Sequence, residues 1–193
     1  MALAIAAECE QRVDLHPEIQ VWLYTEDRWP PQTLVQLYQW MQEDHLPTIF
    51  WRNGIPHSLN LFIRWTTEPG RLIFFPTYAS DPTAITLDSI IGMCWFDEIE
   101  MPRAAVHFWI RKKYWWGRRG LLAAKKILPL IFAELPELQI LTCRVNSDNR
   151  LALKFMKQVG VRVIGSIPNW YNHQGTLHGA TFGYIPREDV ETL

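Results

Sequence analysis

The chain has 193 residues, 48% hydrophobic and 20% charged, with a formal net charge of −1, a length that suits one domain with a sizeable core and is short for two. No apolar run approaches the roughly 20 residues that cross a bilayer, and the opening MALAIAAECEQR lacks the basic flank and apolar stretch of a signal peptide, so a cytoplasmic protein with no membrane partner is expected. Cys9, Cys94 and Cys143 are odd in number and far apart, and the histidines are scattered, so reduced thiols and no metal site are expected.

IQVWLY (19–24) has strand character, and Pro30-Pro31 opens a segment whose Leu34, Leu37, Tyr38 and Met41 fall on one helical face. LPTIFWRNGIPHSL (46–59) is broken by Pro47, Gly54 and Pro56 and reads as short turns and loop. LNLFIRWT (59–66) and RLIFFPTYA (71–79) read as strands joined in a hairpin by Glu68-Pro69-Gly70. After the polar SDPTAITLD (80–88), IIGMCWFDEIE (90–100) and AAVHFWI (104–110) form a second antiparallel pair across Met101-Pro102-Arg103.

Leu121, Ala124, Leu128, Ile131, Phe132 and Leu135 then recur at close to helical spacing, so a helix is expected from near Arg118, with Pro129 kinking it or ending it early. LQILTCRV (138–145) is a strand. Ser147-Asp148-Asn149 caps a helix that buries Ala152, Phe155, Met156 and Val159 and stops at Gly160. VRVIGSI (161–167) and HGATFGYI (178–185) complete the sheet around a turn at Asn172-His173-Gln174-Gly175. The expected fold is α/β, or α+β: one domain, 1–193, with a central, mostly antiparallel mixed sheet and helices on both faces.

Charge is unevenly distributed along this order. From Met101 to Ala133 there are eight Lys or Arg and no Asp or Glu, which marks a segment built to meet an anion. Within AAVHFWI-RKKYWWGRRG-LLAAKKILPLIF a strand enters a basic loop with two glycines and leaves it as a helix. Gly117 and Gly120 permit close backbone approach, the helix start supplies N–H donors, and Arg111, Lys112, Lys113, Arg118 and Arg119 supply countercharge. A diphosphate fits that design; so does a solvated basic loop.

With these residues in view, Ile90 to Ile185 resembles the GNAT family of N-acetyltransferases. IIGMCWFD with AAVHFWI looks like that family's central strand pair, where an opening beside the second strand accepts the pantetheine arm of the cofactor. The loop and helix resemble its pyrophosphate loop, and NRLALKFMKQVGVRVIG (149–165) resembles its later helix and strand. The resemblance implies a GNAT-like fold, with 1–89 shaping the acceptor side and 90–185 forming the acyl-CoA core. It also implies acetyl-CoA as acyl donor and a primary amine as acceptor: a protein Lys, an N-terminus or a small amine. The cofactor contacts it implies are Trp109, Ile110, Arg111, Trp115, Trp116, Gly117, Arg118, Arg119, Gly120, Leu121, Asn149, Phe155 and Met156. A backbone N–H between Trp109 and Arg111 would face the thioester oxygen.

Two departures stand out. In the register that ends at Gly120, Trp115 occupies the loop position where the family has Gln or Arg, with Arg118 at its middle glycine; anchoring on Gly117 instead leaves Arg119 at the end of the motif. Met156 occupies the position of a Tyr that can protonate the departing thiolate. The amine must also lose a proton, and the candidates to accept it are His107, Glu98 and Glu100. His107 reads equally as a half-buried strand residue, and each Glu as a solvated strand end. Competing functions are a nucleic-acid-binding module, suggested by Tyr114, Trp115 and Trp116 among the cations but opposed by the acidic remainder, and a GNAT-like scaffold that has lost catalysis.

Overall fold

The computed structural model describes residues 19–44, 58–78, 86–115, 118–173 and 175–190. Cys9, most of 46–59, most of 80–88, Trp116 and Gly117 therefore lie outside the described residues. Seven strands form one sheet: β1 Gln20–Leu23, β2 Leu72–Thr77, β3 Gly92–Glu100, β4 Arg103–Ile110, β5 Ile140–Asn146, β6 Arg162–His173 and β7 Thr176–Pro186. Their order is β1-β2-β3-β4-β5-β7-β6, antiparallel throughout except for the parallel neighbours β4 and β5.

The helices are α1 Pro31–Glu43, α2 Leu59–Thr67, α3 Arg119–Glu134, α4 Arg150–Gln158 and the short α5 Arg187–Val190. Among the described residues no helix is long and apolar enough to cross a membrane. Alternation along the strands separates two cores. Met93, Trp95 and Trp109 face α1 and α2 with Ile73, Phe75, Leu37 and Phe62, an aromatic layer called here the front. Cys94, Phe96, Ala104 and Val106 face Ile127, Leu128 and Ile131 of α3 and Met156 of α4 at the back.

Two expectations are corrected. Residues 59–66 are helical: the Ser58 hydroxyl caps α2 by accepting from the Leu61 N–H at 3.4 Å, and Phe62 and Thr66, four residues apart, are its buried positions. The hairpin with 71–79 therefore does not form, and β2 pairs with β1 and β3. Of the two outcomes expected at Pro129, a kink or an early end, the early end does not occur: α3 runs on to Glu134. Leu128, Ile131 and Phe132 around the proline are at most 3% exposed, and their burial, about 1.5–3 kcal/mol per side chain, offsets the roughly 3 kcal/mol that an interior proline costs.

Candidate active site between the splayed strands

The parallel ladder between β4 and β5 is short. It pairs Arg103 with Ile140, Ala104 with Leu141 and Ala105 with Thr142, and stops there. Beyond those pairs the described strands part and border a cleft of about 140 Å³. Val106, Phe108, Cys143 and Val145 belong to its back side, where they pack with the α3 and α4 core. His107 and Arg144 alternate with them and so project to the front, and both line the same cleft. The opening thus runs through the sheet from one face to the other.

Strand register identifies the backbone donors at this opening. The Arg111 N–H donates to the Ile91 carbonyl at 2.9 Å, and Trp109 lies opposite Met93 and His107 opposite Trp95 in the same ladder. In an antiparallel pair, bonded and non-bonded pairs alternate. The amides of Trp109 and Arg111 are therefore spent on the β3 side, whereas those of Phe108 and Ile110 face the side from which β5 has parted.

His107 is held from two directions. Its imidazole lies parallel to the Trp95 ring, with centroids 4.9 Å apart and planes within 6°, and its Nε2 is 2.9 Å from Asp97 Oδ1. Burial pushes the Asp97 carboxyl pKa up, but the hydrogen bond and charge of His107, with Arg71 and Arg144, more than offset it and leave the value below the ordinary one. Asp97 is thus ionised near neutrality and can only accept, so Nε2 carries the hydrogen of this bond and Nδ1 is the ring nitrogen left to exchange a proton. Glu98 and Glu100 lie at the paired end of the ladder, away from the cleft, and Glu100 is bound to Arg103 at 2.5 Å.

The basic loop divides its cations. Arg111 is 8% exposed, lies over the Trp40 ring at 3.4 Å and donates to the Ile90 carbonyl, so it belongs to the front core and is not available as countercharge. Arg119 stacks over Tyr78 at 4.7 Å and Tyr114 at 5.4 Å. Trp109 is 1% exposed on the front side, and Trp115 donates its indole N–H to the Ile110 carbonyl at 2.7 Å while staying 37% exposed. Lys126 is buried. Lys112, Lys113, Arg118 and Arg119 remain exposed.

Arg118 is exposed at the N-cap of α3 and makes no side-chain cap there. The first amide bonded within the helix is Leu122, to the Arg118 carbonyl at 2.8 Å, so those of Arg119, Gly120 and Leu121 have no intrahelical partner. Gly120 packs closely on the strand end: a Cβ there would sit 3.1 Å from Ile110 Cγ1, a contact that the Ile110 side chain would have to relieve. Leu121 is half-buried against the back core.

Asn149 begins α4, its Oδ1 accepting from the Ala152 N–H at 3.0 Å, and it lines the cleft with Phe155 and Met156. Phe155 meets Phe108 edge-on at 5.5 Å. Sequence reasoning missed Asp97, Trp95, Arg144 and Tyr171, the last from β6 and also lining the cleft. It also missed the placement of Cys143 in the cleft wall, where burial pushes its thiol pKa up to about 12.

The sequence matches the family model for the acetyltransferase (GNAT) domain over residues 10–162. No curated protein matches it. Among solved structures, spermidine N-acetyltransferase from Vibrio cholerae, in complex with CoA and spermine, superimposes with a TM-score of 0.68 at 12% identity, covering 91% of this chain and 99% of that one. The ribosomal-protein-S5-alanine acetyltransferase from Vibrio fischeri gives 0.69 at 12% identity, covering 93% and 98%. An acetyl transferase from Salmonella typhimurium that modifies the N-terminal serine of a 50S ribosomal subunit protein gives 0.68 at 9% identity, covering 91% and 99%. At these identities the likeness is one of fold.

Proposed function

Since the chain belongs to the GNAT acetyltransferase family, using acetyl-CoA as acyl donor, we propose that the gap between β4 and β5 is its reaction site and that His107 accepts the proton of the acceptor amine. The observation that carries this reading is the end of the β4–β5 ladder at Ala105 and Thr142, with an imidazole and two unspent amides around the opening.

The residues fit the cofactor. Phe108, Phe155, Met156 and Val145 offer an apolar wall to the pantetheine arm; the amides of Arg119, Gly120 and Leu121, with the Arg118 guanidinium, suit its diphosphate. When bound, acetyl-CoA supplies an acyl carbon already activated as a thioester. The chain's work is then to orient the partners, donate hydrogen bonds from the Phe108 or Ile110 amide to the carbonyl oxygen, and move protons.

In the net step a C–N bond forms and the C–S bond breaks. His107 Nδ1 takes the amine proton, and Asp97 opposes the positive charge that appears on the imidazole. Tyr171 carries the one ionisable O–H among the described residues lining the cleft, and it is the candidate to return a proton to the thiolate, which Met156 cannot do. Direct transfer, without an acyl group on Cys143, is supported by burial of that thiol, which pushes its pKa up to about 12 and leaves it a poor nucleophile at neutral pH.

Isothermal titration with acetyl-CoA, followed by thiol-release assays over a panel of amines, tests the proposal. Micromolar to millimolar binding with amine-dependent CoA release is expected. A folded protein that takes up no acetyl-CoA at millimolar concentration would end it.

A further inference from the structure

We propose that the acceptor is an amine that also carries a carboxylate, and that Arg144 is the residue that selects it. This rests on the acetyltransferase reading above and adds the chemistry of the second substrate. Arg144 sits on β5 between Cys143 and Val145, which face the back core, so its guanidinium leaves the sheet on the front, the face that also carries His107. The two residues lie on the two strands that part, one on each side of the opening, and both line it.

The lining of that opening carries no acidic side chain among the described residues. Arg144 is exposed and forms no ion pair among the described residues. Asp97 feels the charge of Arg144, but its carboxylate is already engaged by His107 at 2.9 Å. A polycation entering here would meet a guanidinium and, among the described residues that line the cleft, no carboxylate. An amino carboxylate would place its amine at the Nδ1 of His107 and its anion at Arg144, whose planar fork matches a carboxylate with two parallel hydrogen bonds. Asn146 and Tyr171, at the same opening, add polar contacts for the segment between the two groups.

The test uses the full chain with saturating acetyl-CoA. CoA release is followed with glycine, β-alanine and γ-aminobutyrate, with their carboxamides, and with putrescine. At least one amino carboxylate is expected to exceed its amide in kcat/KM by about ten- to a hundredfold, the range for a charge-assisted pair. Arg144→Gln should abolish that preference by raising KM for the carboxylate about ten- to a hundredfold more than for its amide, and Arg144→Lys should restore part of it. Amides or putrescine used as well as the carboxylates, or a preference that survives Arg144→Gln, would overturn the inference. Should none of these amines turn over, calorimetry of the amino carboxylates against the CoA-saturated protein decides: binding that Arg144→Gln weakens sustains the inference, and no binding overturns it. Failure of acetyl-CoA itself to bind is read in a separate titration and would strike the acetyltransferase reading instead.

Discussion

Asn149 allows the structural and the ligand-binding roles of one side chain to be separated. Its Oδ1 is occupied by the Ala152 N–H at 3.0 Å, so only the Nδ2 hydrogens can serve a cofactor in the cleft that it lines. Asn149→Asp keeps an oxygen on the Ala152 amide, and Asp caps a helix as well as Asn does, but it replaces the Nδ2 donor with a second acceptor. Asn149→Ala removes both functions. The alanine variant should lose about 1 kcal/mol of stability, or about 2–4 °C in Tm for a chain of this size, whereas the aspartate variant should melt with the parent. Both should bind CoA more weakly. Loss of one neutral hydrogen bond, about 0.5–1.5 kcal/mol, is a two- to thirteenfold rise in Kd, with about tenfold per 1.4 kcal/mol; repulsion between the new carboxylate and an anionic cofactor adds to it in Asn149→Asp. Calorimetric melting and titration with CoA on the three proteins read the two effects independently. An aspartate variant that binds CoA like the parent would refute the ligand contact and leave Asn149 as a cap alone.

Four further expectations follow from the same geometry. His107→Ala should lower kcat by about 10²- to 10⁴-fold, with Asp97→Asn causing a smaller loss; because the folded Asp97 pKa lies below its ordinary value, the stability it contributes is complete above about pH 3.9 and is lost as pH falls through the folded value, so Asp97→Asn should unfold with a shallower acid dependence below pH ~4 in urea titrations. Tyr171→Phe should depress turnover most with acceptors of high reactivity, for which thiolate departure limits the rate, and leave CoA affinity unchanged by calorimetry. Cys143→Ala should retain activity, and iodoacetamide should not inactivate the parent, since the thiol titrates only near 12; trapping an acetylated Cys143 by mass spectrometry would contradict direct transfer. Gly183→Ala would place a Cβ 2.4 Å from Val161 Cγ1, 3.0 Å from the Arg162 carbonyl and 3.1 Å from Met156 Cε, an overpacking that should cost about 1–3 kcal/mol in urea unfolding.

The second half of the fold was legible because its apolar residues keep time with their elements. The spacing of α3, the Asn149 cap and Gly160 at the end of α4, with its φ of 86°, are local signals that the tertiary structure does not overrule. The segment 59–66 was misread because Leu59, Leu61, Phe62, Ile63 and Trp65 are dense enough in apolar residues to suit a strand. The deciding feature is Ser58, a cap whose worth is visible only once Phe62 has a core to enter. Asp97 was hidden for a different reason. The ladder pairs Glu100 with Arg103 but Asp97 with Ala105, a shift of one residue between them, and Glu98 sits there at φ 49°. Without that bulge, His107 would stand opposite Phe96 and every side chain beyond would change faces. No count of residues from Met101-Pro102 yields the true pairing, so the carboxylate that orients His107 could not be found from spacing.

The basic segment shows how far composition alone can carry a site. Its excess of cations predicts an anion-binding region, yet Arg111, the first cation of the loop, is folded under Trp40 of α1. The next residue, Lys112, spends its backbone N–H on the Asp44 carboxylate just past the end of that helix, at 2.9 Å. Two successive residues at the exit of β4 are therefore anchored to α1 and its C-terminal cap. That anchoring has a use. The Ile110 amide faces the gap only while the chain after it continues in line with β3, and Arg111 holds that line by bonding Ile91 through its N–H and Ile90 through its guanidinium. The N-terminal half, which carries no motif of its own, thus fixes the end of the strand at which the reaction is proposed to occur.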